Sequence, residues 1–147
     1  MASSTPESAV PAARPRVAVA AVVMRGTQVL LVGSCRSGVE GYWGFPGGKL
    51  EFGETLFQAA ERELLEETGV EAVAREVLTA VDVLVGGAVR PRAHFVLIAT
   101  LCDYLSGEPV AADDAESAGW FPFERLDSLP LHPDVSAIVE LARQRSS

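Results

Sequence analysis

Apolar and polar residues fall in blocks along this chain, and the blocks differ in period. Arg16 to Met24 is apolar almost without a break and rich in valine, the pattern of a strand buried on both faces. Arg25-Gly26-Thr27 reads as a turn, and Gln28 to Cys35 as a second strand, its hairpin partner. Arg36 to Tyr42 is a loop carrying Gly38 and Gly41. Trp43 to Phe45 is a short extended piece that ends at the breaker Pro46-Gly47-Gly48. From Thr55 to Thr68 the period changes. Leu56, Ala60 and Leu64 recur at i, i+4 and i+8, with Ala59 beside them, which predicts a helix with that stripe buried. Thr55 and Gln58 have the spacing of a capping box, and Gly69 stands where a left-handed C-cap belongs.

Strand patterns then return. Ala74 to Val85 is strand-like, with Gly86-Gly87 as a turn, and Ala93 to Cys102 is another long apolar strand. Asp103 to Ser117 reads as a polar loop. Gly119 to Phe121 is a short strand stopped by Pro122. Pro133 to Arg143 is a second helix, with Val135, Ile138, Val139 and Ala142 on one face. The order strands, helix, strands, helix predicts a mixed sheet with helices packed on its faces.

A length of 147 residues fits one domain. The first 15 residues are rich in Ala, Ser and Pro and read as a disordered leader, which leaves residues 16–147 as the domain. They lack the basic start and apolar core of a signal peptide. The longest apolar run, Val17 to Met24, is too short to span a bilayer, so no membrane partner is expected. Cys35 and Cys102 belong to no CxxC and have no histidine at ligand spacing. They read as reduced, buried thiols of a cytoplasmic protein. His94 and His132 read as structural.

Charge changes the picture. Twenty acidic and 12 basic residues give a net of −8. That balance repels a polyanion, so a nucleic-acid polymer is not an expected partner. The acid is concentrated. Glu51, Glu54, Glu61, Glu63, Glu66 and Glu67 lie within 17 residues whose only base is Arg62. More than half of the net charge sits in about an eighth of the chain.

On the predicted helix, Glu63, Glu66 and Glu67 stand at i, i+3 and i+4. Like charges at that spacing destabilise a helix by roughly 0.2–0.5 kcal/mol per pair. Glu66 and Glu67 also oppose the negative end of the helix dipole. A helix selected only for stability would carry lysine there, and such breaks of local rules mark functional sites. The ordinary alternative is a solvated acidic face. Spacing leaves the two readings level. Carboxylates without Cys or His suit Mg²⁺ or Mn²⁺ and not structural zinc. Arg62, at i−4 to Glu66, has the spacing to orient that carboxylate. Gly47-Gly48 lets backbone approach a ligand, or is simply a tight turn.

The span Gly48 to Val70, GKLEFGETLFQAAERELLEETGV, resembles the Nudix box without a departure. Its fixed points are Gly48, Glu54, Arg62-Glu63-Leu64, Glu66-Glu67 and Gly69-Val70, nine positions over 23 residues. Trp43-Gly44-Phe45-Pro46-Gly47 resembles the family's usual lead-in. The resemblance implies an α/β/α sandwich. It implies hydrolysis of a nucleoside diphosphate linked to another group, with Mg²⁺ or Mn²⁺ and a small-molecule nucleotide as substrate. Metal-holding carboxylates explain how so acidic a site accepts a polyanion.

By the resemblance, Glu66 and Glu67 match the principal metal ligands. Glu63 matches a ligand that in some members is the general base. Glu54 matches the supporting carboxylate, with Arg62 as its orienting partner, and the Gly48 carbonyl matches a further ligand. The family often adds a ligand from outside the box. Asp113, Asp114 and Glu116 offer one, and Glu116 is favoured over the alternative of a solvated turn. Arg36 or Lys49 is placed to meet a terminal phosphate. Trp43, Phe45 or Phe95 is a candidate to stack on a base, against the commoner fate of aromatics in the core. The proline that tends to mark the ADP-ribose-cleaving group is absent: Val85-Gly86-Gly87 stands in that region, and the first proline is Pro91. This counts against that subgroup. A nucleoside triphosphate, a nucleotide sugar, an ADP-ribose-like compound and a dinucleotide all stay open. Dimers are common in the family, and the apolar strands offer a homodimer interface. The competing function is a non-catalytic nucleotide-binding module, which usually loses box carboxylates; a purely structural role with an acidic face is the third reading.

Overall fold

A computed structural model describes residues 13–33, 41–112, 115 and 117–146. Most of the expected leader therefore lies outside the described residues, as does Cys35; Pro15 already belongs to the first strand.

That strand, β1 (Pro15–Arg25), is the axis of the molecule. Its odd residues Val19, Ala21 and Val23 face one layer and Val22 faces the other, and all four are fully buried. This is the two-sided burial that the valine run requires. One long edge of β1 pairs in parallel with β6 (Ala93–Ser106), from Pro15↔His94 to Met24↔Asp103. Its other edge is shared. β4 (Gly47–Lys49) pairs with Ala18–Ala20, and β2 (Gln28–Gly33) pairs only at Met24↔Val29 and Arg25↔Gln28. β2 is thus a hairpin partner for two residue pairs only. Its main partner is β7 (Ser117–Pro122), antiparallel over six positions, and β3 (Trp43–Gly44) closes its far end. β5 (Glu71–Val85) pairs antiparallel with β6 and forms the sheet's outer edge, with three register shifts in its first half.

The expected breaker at Gly47-Gly48 is instead a strand. Neither glycine has the positive φ of a turn. A Cβ on Gly47 would collide with the Val19 carbonyl, so glycine is needed here for close approach of two backbones. An alternation pattern has no way to register a strand without side chains.

Two helices cover the two faces. α1 (Leu56–Thr68) lays Ala59, Ala60 and Leu64 on Val19, Ala21 and Val23. Its ends are as the sequence specified: the Thr55 hydroxyl accepts from the Gln58 N–H at 3.1 Å, the Gln58 amide oxygen accepts from the Thr55 N–H at 2.9 Å, and Gly69 is left-handed at φ 77°. α2 (Val135–Ser146) sets Ile138 and Ala142 against Val22, Ala99 and Leu101, and Val135 and Val139 against Val29 and Leu31. A 3₁₀ turn, Phe123–Ser128, which no period in the sequence announced, leads toward it. The result is a three-layer α/β/α sandwich with a mixed sheet. Among the described residues no helix is long and apolar enough to cross a membrane.

Candidate metal and phosphate site

The site forms where α1 crosses β4. Two glycines bring the β4 backbone under the helix, and three elements meet there. A Cβ on Gly48 would strike the Glu63 carboxylate, so that carboxylate lies directly over the strand. Glu67, one turn further, is 3 % exposed, and the Gly47 N–H points to its Oε1 at 3.4 Å. Glu67 follows Ala60 and Leu64 on the helix's buried stripe, whereas Leu65 is 48 % exposed. Leu65, although apolar, therefore does not join the packed stripe. A carboxylate occupies the inner position and a leucine the outer one, because the helical repeat and not the residue type decides which side faces the sheet.

Arg62 organises the remaining acids. Its Nε and Nη2 donate to the two oxygens of Glu54 at 2.5 and 2.9 Å, a bidentate pair. Its Nη1 donates to Glu63 at 3.1 Å and to Glu66 at 3.2 Å, and Nη2 also donates to the Lys49 carbonyl at 3.2 Å. One guanidinium thus ties α1, β4 and the turn between them. The Glu54 and Glu63 side chains are 12 % and 13 % exposed, so these pairs are shielded from solvent more than ordinary surface ion pairs. The Arg62 hydrogen bond holds the Glu54 carboxyl below its usual range, and the same contact raises the Arg62 pKa. Glu66 is half exposed and lines a shallow cleft of about 510 Å³ with Phe52, Glu54, Gln58 and Arg62. Glu61, also on α1, turns away and accepts from the Ala74 N–H at 2.8 Å, stitching α1 to β5.

The three candidate ligands on the helix thus divide: Glu63 and Glu67 point to the glycine strand, and Glu66 to the cleft. Among the described residues, no three His, Cys, Asp or Glu side chains form a finished cation cage. The donor chemistry nonetheless fits a hard divalent cation, since every candidate ligand is an oxygen and one carboxylate is almost wholly buried. The chain after β6 reaches the same place. Val110 N–H and Ala112 N–H donate to the Thr68 and Glu67 carbonyls, both at 2.9 Å, which satisfies the helix end. The acidic residues Asp113, Asp114 and Glu116 follow immediately and lie outside the described residues, as does Arg36.

The expected aromatics are elsewhere. Trp43 and Phe45 pack in the layer facing α2, with Trp43 edge-on to Phe121 at 4.7 Å. Phe95 lies on β6 opposite Val83. Lys49 is exposed on β4. Phe52, which the sequence reading passed over, is fully exposed on the wall of the cleft. Its only signal was a large apolar residue inside an acidic turn. A second cleft, of about 440 Å³, lies between the 3₁₀ turn and α2 and includes Phe123, Glu140 and Arg143 but none of the box carboxylates.

Known proteins agree with this architecture. The NUDIX domain profile matches residues 14–142. The chain is similar to ADP-ribose pyrophosphatase of Methanocaldococcus jannaschii, 33 % identical over 115 residues that cover 78 % of this chain and 66 % of that protein. It is similar to the NAD-capped RNA hydrolase NudC of Pseudomonas aeruginosa, 32 % identical over 137 residues that cover 90 % of this chain and 46 % of that protein. The chain therefore spans less than two thirds of the length of either relative. Among solved structures, a MutT NUDIX hydrolase from Burkholderia pseudomallei superposes with a TM-score of 0.76 at 31 % identity, covering 87 % of this chain and 98 % of that one. The matched region takes in the sheet, both faces and the whole carboxylate cluster, and the chain belongs to the Nudix hydrolase family.

Proposed function

We propose that this protein hydrolyses the pyrophosphate bond of a nucleoside diphosphate linked to another group, with a divalent cation as cofactor. One observation carries the reading: Arg62 holds Glu54, Glu63 and Glu66 together while Glu67 lies buried beside the Gly47-Gly48 strand. Nudix hydrolases generally need a divalent metal, and the all-oxygen donor set favours Mg²⁺ or Mn²⁺. Glu63, Glu66 and Glu67, the Gly48 carbonyl and Glu116 are the residues to hold it. A bound cation there supplies charge neutralisation for phosphate oxygens and lowers the pKa of the attacking water. The chain's own part is placement. Glu54 and Arg62 fix the carboxylates before substrate arrives, so little reorganisation is left to the reaction. Lys49 and Arg36 are candidates for a terminal phosphate, and Trp43 and Phe45 for base contact only if their packing opens.

The two curated relatives are named for ADP-ribose and for NAD-capped RNA, both built on adenosine diphosphate carrying a second group. That puts ADP-ribose and dinucleotides in the panel, although the missing subgroup proline argues against the ADP-ribose-cleaving group; a relative from Mycobacterium tuberculosis, 34 % identical and named a putative 8-oxo-dGTP diphosphatase, keeps nucleoside triphosphates beside them. The same reading takes residues 16–147 as one domain, in the cytoplasm and as a homodimer. Its supports are the single shared sheet, the buried free thiol of Cys102, and the half-buried run from Ala93 to Ile98 on the outer hairpin.

The test is a substrate panel with Mg²⁺ or Mn²⁺, wild type against Glu66→Gln. The expected outcome is turnover of at least one pyrophosphate substrate, with a loss on the order of a hundredfold in the variant, the scale of removing a charge-stabilising group. Near-wild-type turnover by the variant would sink the assignment.

A further inference from the structure

Phe52 has no role in holding the fold. Its side chain is fully exposed at the corner of the turn between β4 and α1, and the turn's hydrogen bonds are made by others. Glu51 N–H donates to the Glu54 carboxylate and Glu54 N–H donates to the Glu51 carbonyl, both at 3.0 Å, while Gly53 takes the left-handed conformation at φ 86°. A polar residue at position 52 would serve this turn equally well and would be better solvated.

The turn is nevertheless held firmly. The Glu54 carboxylate that closes it is the one gripped by Arg62, and Arg62 grips Glu63 and Glu66 as well. The backbone that carries the phenyl ring is therefore anchored beside the carboxylates, while the ring itself stands free in solvent. It forms one wall of the 510 Å³ cleft whose other members include Gln58, Arg62 and Glu66. Among the described residues the other side chains of the cleft are polar or charged, and Phe52 is its one aromatic face. The aromatics proposed from sequence, Trp43 and Phe45, are spent on packing against the α2 side.

We propose that Phe52 is the platform on which the flat heterocycle of a nucleotide stacks at this cleft. The proposal deepens the hydrolase reading and rests on it for the class of ligand. Stacking on an aromatic ring is tolerant of base identity, because every base has a π face. Phe52 then sets how tightly a nucleotide is held, and the polar wall sets which one.

The test is calorimetric titration in Mg²⁺ with AMP and with ribose 5-phosphate, which carries the same sugar phosphate without a base. The proteins are wild type, Phe52→Ala and Phe52→Trp. Wild type should hold AMP more tightly than ribose 5-phosphate. Phe52→Ala should weaken AMP roughly tenfold, the scale of one lost base–aromatic stack. It should leave ribose 5-phosphate unchanged, and Phe52→Trp should restore AMP binding. Equal affinity of wild type for the two ligands overturns the proposal. So does wild-type AMP binding by Phe52→Ala, or an equal loss of both ligands, which would mean a disturbed turn. If the AMP difference appears as expected but the substrate panel is not cleaved, the hydrolase reading falls and the stacking site stands.

Discussion

α1 and α2 lie on opposite faces of one sheet, and each presents a continuous apolar seam to it. Ala59, Ala60 and Leu64 form the first seam, and Val135, Ile138, Val139 and Ala142 the second; all are buried. Away from the seams the helices follow opposite rules. α2 ends on Arg143 and Arg145, cations that favour the negative end of the helix dipole. Arg145 pairs with Glu76 on β5, and Arg143 lies over the Phe123 ring at 4.6 Å. α1 has no base in its last turn and carries Glu66 and Glu67 there. One of them is driven into the interior. The comparison separates two kinds of selection acting on similar scaffolds: α2 is arranged to stay folded, whereas α1 is arranged to hold negative charge where a helix least favours it.

Three experiments sharpen or break that contrast. The largest effect belongs to what the helices share. Leu64→Ala and Ile138→Ala should each cost about 2–5 kcal/mol of unfolding free energy in urea, whereas the exposed Leu65→Ala should stay within about 0.5 kcal/mol. A negligible cost at Leu64 would mean that α1 is not anchored by its seam. Next comes the cation. Mg²⁺ or Mn²⁺ at a hundred times its dissociation constant should stabilise the wild type by about 2.7 kcal/mol, read as a concentration-dependent rise in Tm, and Glu67→Gln should lose most of that response. An unresponsive wild type would return the acidic cluster to a solvated surface. The smallest effect tests the dipole rule directly. Without divalent ions, Arg143→Gln should destabilise the protein by about 0.3–1 kcal/mol. Glu66→Gln should do the reverse by a similar amount, less what the contact with Arg62 contributes. Equal signs for the two variants would erase the distinction.

How much of this was legible in the sequence depends on the range of the interaction. α1 was readable in full, because its cap at Thr55, its stripe and its stop at Gly69 are all local. The Arg62–Glu66 pair is a helical neighbour and was readable too. The grip of Arg62 on Glu54 came from the family resemblance, and its bond to the Lys49 carbonyl was not foreseen. The parallel pairing of β1 with β6 spans most of the chain, and nothing in either strand's pattern names its partner. The hairpin with β2 was the natural expectation and accounts for two residue pairs. The burial of Glu67 follows from the repeat, since it comes after Leu64 on the inner side, but it was not foreseen, because residue type puts a leucine and not a carboxylate inside. Phe52 was missed because an aromatic in a turn looks incidental until the cleft beside it is seen.

The close seating of β4 has a consequence for how such a chain can change. Gly47 touches β1 and Gly48 touches the Glu63 carboxylate, and neither has space for a single methyl group. Glycine is fixed here by volume, since the backbone angles alone would accept alanine. A methyl group at Gly47 would displace the sheet, and one at Gly48 would displace the Glu63 carboxylate. A lineage built on this scaffold has its freedom elsewhere, in the turn around Phe52 and in the chain that follows β6. The turn around Phe52 is exposed, the chain after β6 is tied to the end of α1 through Val110 and Ala112, and both lie beside the carboxylates. New specificities are expected to arise there.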